Sequence, residues 1–288
     1  MQLQRVLDYL ARVTRADLAT FSPLYFGATR LGWVNAEWRQ RLLAADDRLF
    51  AADGPRLYCQ GGSDYQTLSA QLAAAARRWH AAGWLNGWRD ENFQASLADG
   101  TPLFELERAA FRPLGLTSHA VHLNGLSRMP DGEVRMWLGR RSPHKAVDPN
   151  RMDNMVGGGV AAGETIEVAR EREGWEEAGL SAELLRDVRQ VALLLAERPV
   201  QRGLHREWLH VFDIWLPPDV VPNNQDGEVA EHCCVPLAEV ESLLVAERFM
   251  IDAALAAADC LARLGYWGDD SRLVHEALQP ASSGMLID

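Results

Sequence analysis

Glu173, Glu176 and Glu177 are the residues of this 288-residue chain whose types and spacing could do chemistry. At positions i, i+3 and i+4 they share one face of a helix, where three carboxylates repel unless positive charge lies among them. A hard divalent cation answers that need, because magnesium takes oxygen ligands. The stretch ahead of them, GGGVAAGE (157–164), is glycine-rich. Gly157, Gly158, Gly159 and Gly163 permit a tight loop whose backbone approaches a ligand closely. The N-terminus of the helix that follows favours anions. A metal beside an anion-friendly loop points to a phosphate substrate.

Composition sets the bounds. Apolar residues make up 48% of the chain, an ordinary value for a folded protein. No apolar run reaches the eighteen or so residues of a membrane helix. The first residues carry charges throughout and lack a signal-peptide core, so a cytoplasmic protein with no membrane partner is expected. Cys59, Cys233, Cys234 and Cys260 form no CxxC pair and read as reduced thiols. The net charge of −11 argues against nucleic acid. It is unevenly spread: residues 1–117 carry 13 basic and 12 acidic side chains, residues 118–288 carry 16 and 28. Two domains are expected, 1–117 and 118–288, the second a plausible host for a cation. Lys145 is the only lysine among 29 basic residues, which singles it out as a position that wants a compact ammonium, unless chance left it there.

The elements that must position the glutamates follow from periodicity. Helices are predicted at 2–13, from the Asn35 cap through Leu42, at 65–83 with Ser63 or Asp64 as cap, at about 165–178, and near 237–245 and 250–264. Extended runs are predicted at 24–34, 56–60, 118–126, 133–141, 187–198, 206–216 and 228–235, with MPDG (129–132) closing a hairpin. The N-terminal third reads as α+β, and the remainder as a mixed sheet flanked by helices.

The pattern Gly158-x5-Glu164-x7-Arg172-Glu173-Gly174-x-Glu176-Glu177-x-Gly179-Leu180 resembles the Nudix box. One position departs: Gly174 stands where the family has an aliphatic residue, leaving a gap for Trp175 or a neighbour to fill. The resemblance implies an α+β protein with a Nudix α/β/α sandwich and mixed sheet, preceded by a smaller α+β N-terminal domain. It implies hydrolysis of a diphosphate linkage in a small molecule with Mg2+ or Mn2+. Glu173, Glu176 and Glu177 would then be metal ligands, with the Gly157 carbonyl as an extra one. One of the glutamates, or a carboxylate outside the box, would deprotonate the attacking water. Arg172 would orient the glutamates, and Glu164 would be its partner or an outer ligand.

The flanks are similar to the thiamine-pyrophosphokinase-related branch of that family. The matching residues are Arg140, Arg141, Ser142, Lys145, Pro149, Met152, Asp153 and Asn154, then DGEVAEH (226–232), and upstream GWRDENF (87–93). That branch implies thiamine diphosphate or its damaged analogues as substrate; the alternatives are an ADP-ribose, nucleotide-sugar or dinucleotide diphosphatase, or a Nudix-fold module that binds a ligand and regulates. Lys145 and Arg140 or Arg141 could hold the terminal phosphate; Asp153 and Asn154 either assist or only shape the loop. Glu228 is the first choice for a further ligand or base. Most of the five tryptophans in 1–117 read as core, and Trp88 with Arg89 is the pair expected at a substrate ring. His119, His122, His205 and His210 receive no catalytic role, and the oligomeric state stays open.

Overall fold

The computed structural model describes residues 2–279 apart from 15, 46, 47, 98, 146 and 218. Two sheets with separate cores account for most of it. The first sheet has the order β2-β1-β4-β3, from β1 (Ser22–Phe26), β2 (Thr29–Val34), β3 (Phe50–Asp53) and β4 (Arg56–Cys59). The run predicted as one extended segment at 24–34 is a hairpin, because Gly27 takes φ +58° and turns the chain back. Helices α2 (Ala36–Ala44) and α3 (Tyr65–Ala81) belong to this region. Each is started by a side-chain cap: Asn35 accepts from the Trp38 N–H, and Asp64 rather than Ser63 from the Thr67 N–H. A second hairpin, β5 (Asn92–Ser96) with β6 (Pro102–Glu107), and the short α4 (Phe111–Leu114) complete it.

The larger sheet is built on β7 (Thr117–Arg128). Its first half pairs with β10 (Val156–Gly159), Ala120 opposite Gly159 and Leu123 opposite Val156, and its second half with β8 (Val134–Arg141). On the other edge β12 (Gly203–Trp215) runs parallel to it and carries β11 (Gln190–Val200). Strands β9 (Met152–Asn154) and β13 (Val229–Pro236) flank β8. Helices α5 (Ile166–Ala178) and α6 (Ala182–Leu185) cover one face through Ala169, Ala178, Leu180 and Leu185 on Val121, Leu123 and Phe212. Helices α7 (Leu237–Val245), α8 (Ile251–Arg263) and α9 (Ser271–Leu278) cover the other. This is an α/β/α sandwich with a mixed sheet.

Helix α1 (Gln2–Val13) departs from the division expected at 117/118. Its Val6, Tyr9 and Leu10 pack with α7 and α9, inside the core of the larger sheet. An amphipathic helix goes where its stripe is buried, whatever its place in the chain. Among the described residues no helix is long and apolar enough to cross a membrane.

Candidate active site

Helix α5 is fixed at both ends. The Thr165 hydroxyl caps its start, accepting from the Val168 N–H, and Gly179 ends it in the left-handed conformation at φ +65°. Its glutamates meet an arginine first. Arg172 donates to both oxygens of Glu164 (2.7 and 2.9 Å), to Glu173 (2.7 Å), to Glu176 (3.1 Å) and to the Gly159 carbonyl (3.0 Å). Glu164, held also by the Ala161 N–H, is the arginine's bidentate partner. The repulsion inherent in the spacing is thus partly answered within the chain.

It is not answered fully. Glu173 and Glu177 are buried, and Glu176 is half-exposed. Burial pushes the Glu173 carboxyl up to about 7 although Arg172 touches it, and pushes Glu177 well above the usual carboxylate range although Lys145 lies 3.6 Å away. The Lys145 ammonium bridges, donating to Glu228 while facing Glu177. Glu177 also accepts from the Gly157 N–H (2.8 Å). In an extended residue the N–H and C=O point to the same edge, so the Gly157 carbonyl shares the edge that meets Glu177.

Of the glycines expected to form a tight loop, Gly163 does sit in a turn, at φ +83°, but the other three do not. Gly157, Gly158 and Gly159 are strand residues of β10. They are glycine because side chains lie on both faces of the strand. A Cβ on Gly158 would collide with the Glu173 carboxylate, and one on Gly159 would come 2.6 Å from the Phe93 ring. The gap expected at Gly174 is filled by Leu185, whose methyl would stand 2.6 Å from an added Cβ, while Trp175 is largely exposed.

Other sequence-derived candidates divide. Arg141 reaches the cleft but is committed: it pairs with Asp153 (2.6 Å) and braces the carbonyls of Val147 and Asp148. Arg140 does not line the cleft; it pairs with Glu231 at the surface. Asn154 is buried beneath it, bonded to His122 (2.8 Å) and Asn124 (2.7 Å). Arg89 faces Glu228 at 3.7 Å. Trp88 does not line the cleft: it stacks on His80 at 4.7 Å and donates to Asp90. Phe93 and Phe111 do line it, and the Arg108 guanidinium lies 4.8 Å from the Phe93 ring.

A cavity of about 210 Å³ lies between the larger sheet and residues 87–112. It begins at Gly157, Gly158, Glu173, Lys145 and Glu228 and extends to Ser118, His205, Glu207 and Asp252, with Arg89, Arg108, Arg112 and Arg202 also on its walls. Sequence reasoning missed the far end. The available signal was alternation: Ser118, Ala120 and His122 of β7 all line the cavity, as every second residue of a strand must if one does. His119 and His210 pair with each other and are not among the lining residues.

Comparison with known proteins gives the family. Residues 124–255 match the NUDIX domain, and residues 3–118 match a domain of unknown function (DUF4743). The chain is 32% identical over 283 residues to Nudix hydrolase 20, chloroplastic, of Arabidopsis thaliana, covering 93% of this chain and 72% of that protein. It is 32% identical over 207 residues to Nudix hydrolase 24, chloroplastic, of the same plant, covering 71% of this chain and 53% of that protein. A crystal structure from Deinococcus radiodurans aligns at 21% identity with 66% of this chain and 100% of its own, with a TM-score of 0.41. The chain belongs to the Nudix hydrolase family and is a Nudix diphosphate hydrolase. Enzymes of this family generally use divalent metals and act on small-molecule diphosphates.

Proposed function

We propose that this enzyme cleaves the diphosphate of thiamine diphosphate or its damaged analogues to the monophosphate, with magnesium or manganese. The observation that carries the hydrolytic part is the pair of buried carboxylates, Glu173 and Glu177: Glu173 lines the same cavity as Arg89, Arg108 and Arg112, and Glu177 lies 3.6 Å from the Lys145 ammonium, whose residue also lines it. Buried oxygen donors whose acidity is suppressed by desolvation, next to guanidinium groups that suit phosphate, are what a metal-bound diphosphate needs. The donor set fits a hard cation, and Glu173, Glu176, Glu177, the Gly157 carbonyl and Glu228 would hold it. When bound, such a cation makes water more acidic and neutralises charge on the transferring phosphorus.

The chain's own residues do the rest. Arg172 fixes Glu173 and Glu176 in one orientation. Lys145, drawn to Glu177 and Glu228, is free to turn its ammonium to a phosphate oxygen when those carboxylates have another cation. Arg141 takes no phosphate; it holds the 147–148 backbone and Asp153. Residues 1–117 supply Phe93 for the organic part and Arg89, Arg108 and Arg112 for the phosphates, and residues 118–288 supply the metal-binding carboxylates and Lys145. The thiamine assignment draws its support from the resemblance at 140–154, 226–232 and 87–93. A hydrolysis screen with magnesium over thiamine diphosphate, oxythiamine diphosphate, ADP-ribose and nucleotide sugars tests it. Preference for the thiamine compounds is expected, and preference for ADP-ribose or a nucleotide sugar would move the substrate to the nucleotide class.

A further inference from the structure

A run of hydrogen bonds crosses the larger sheet beneath the cavity, and its direction is set from one end. Arg263, the last residue of α8, donates to both oxygens of Asp213 on β12. A carboxylate so paired only accepts, so the Asn124 amide turns its Nδ2 to Asp213 (3.0 Å) and its oxygen away. That oxygen accepts from Asn154 Nδ2 (2.7 Å), which leaves the Asn154 oxygen facing His122 Nδ1 (2.8 Å). The imidazole must therefore carry a hydrogen on Nδ1. Asn124, Asn154 and His122 are all buried, so solvent does not compete for these bonds.

The consequence falls on the other ring nitrogen. In the neutral imidazole with its hydrogen on Nδ1, Nε2 holds a lone pair and can only accept. Nε2 has no hydrogen-bond partner among the described residues, yet it is not closed off, and His122 lines the cavity wall. It stands at the glutamate end. His122 lies opposite Gly157 in the register of β7 and β10, and a Cβ on Gly157 would come 3.3 Å from the ring. The Gly157 N–H in turn meets Glu177 at 2.8 Å. Ionised phosphate oxygens only accept, so a lone pair placed here repels them. The donor that a hydrolase brings to this place is water.

We infer that His122 is a catalytic residue whose Nε2 accepts a hydrogen bond from the attacking water, and that Asn154, Asn124 and Asp213 are positioning residues that fix the ring's tautomer. Nε2 holds one hydrogen of the water and takes no proton. The water oxygen bonds to phosphorus. The P–O bond to the leaving phosphate breaks, and its electron pair goes to that phosphate. The other hydrogen of the water leaves as a proton to a carboxylate of α5. An acceptor held at a fixed angle aims the oxygen lone pair of the water at phosphorus, which is orientation rather than binding. The inference rests on diphosphate hydrolysis at this site and not on thiamine being the organic part of the substrate.

Long-range proton–nitrogen correlation spectra of the whole metal-free chain at mildly alkaline pH read the tautomer directly, with His122→Gln to assign the signals. A hydrogen on Nδ1 and a bare Nε2 are expected, and Asn154→Leu, which cuts the run, is expected to release the ring in part to the other tautomer. Kinetics read the role. Turnover is measured with magnesium on whichever of thiamine diphosphate, oxythiamine diphosphate, ADP-ribose and UDP-glucose is cleaved fastest. His122→Leu is expected to lower kcat at least about tenfold, the scale of one hydrogen bond, with KM changed by less than about twofold. His122→Gln, which can bring an acceptor oxygen close to the place of Nε2, is expected to fall between His122→Leu and wild type. If His122→Leu does not fold, the wild-type spectrum and the kcat of His122→Gln decide. A hydrogen on Nε2 in the wild type, full turnover in His122→Leu, or a loss confined to KM would each overturn the inference. Cleavage of ADP-ribose or UDP-glucose alone would remove the thiamine reading and leave this test intact.

Discussion

Both ends of the cleft are crowded with carboxylates and cationic side chains, yet the two crowds reach opposite balances. At the Asp252 end burial pushes the carboxyl up, but Arg198 and His205 more than offset it and hold it well below the usual range. At the Glu177 end burial wins, and a single ammonium at 3.6 Å does not offset it. The first arrangement is complete within the chain. The second is short of positive charge, as the proposed cation site would be before a cation binds.

The sharpest test applies the same isosteric change to each end. Asp252→Asn strands the buried Arg198 and is expected to destabilise the metal-free protein by about 3–5 kcal/mol. Glu177→Gln removes a poorly compensated carboxyl and is expected to leave stability unchanged or raise it. Urea unfolding in chelator measures both, and equal losses would erase the distinction between the ends. Catalysis should reverse the ranking of the two sites. Glu177→Gln is expected to lower turnover with magnesium by at least about a hundredfold, and chelation to abolish it. Full turnover in either condition would remove Glu177 and the cation from the reaction.

The same asymmetry explains what the sequence made legible. The glutamate end is local: Glu164, Arg172, Glu173, Glu176 and Glu177 lie on one helix and the loop before it, so spacing alone places them together. The caps at Asn35 and Asp64 are local in the same sense. The other end joins Ser118, His205 and Asp252, residues brought together only by strand pairing and by the start of α8. No periodicity within a segment carries such a contact. Glycine misled for a related reason. A glycine run reads as a loop when only backbone freedom is considered, but β10 needs glycine for the space on its two faces, which Glu173 and Phe93 occupy. Trp88 and Phe93 stand five positions apart in one stretch, and only the fold decides which ring meets the cavity.

A smaller effect follows from Glu173. Its carboxyl is raised to about 7 in the folded state, above its ordinary 4.5. Below about pH 4.5 folded and unfolded chains both hold the proton, and the contribution to stability is fully present. As pH rises toward 7 the unfolded chain ionises first and stability falls; above that the loss is constant. The urea-measured stability of the metal-free protein should therefore decline over this window, by on the order of 3 kcal/mol for this group. Glu173→Gln is expected to flatten the decline, and an unchanged slope would assign it to other groups. At the Asp252 end the sign is opposite, since a depressed carboxyl loses its contribution as pH falls.

The smallest expected effect concerns how the glutamate end is seated. Gly174 lies in mid-helix on α5, where alanine would gain about 1 kcal/mol of helix propensity. The added methyl, however, would stand 2.6 Å from a methyl of Leu185, a fully buried side chain between α5 and the sheet. Overpacking of this kind costs about 1–3 kcal/mol, so Gly174→Ala is expected to be destabilising by about 1 kcal/mol net. Combining it with Leu185→Val, which shortens the colliding side chain, should recover part of the loss, a non-additivity that marks direct contact. Thermal unfolding of the two single variants and the double variant reads this. Turnover is the second readout, because a shifted α5 would carry Glu173 and Glu177 with it. If Gly174→Ala is stabilising and additive with Leu185→Val, then Leu185 yields freely, and the glutamates are held in place by Arg172 and Gly157 rather than by the packing beneath their helix.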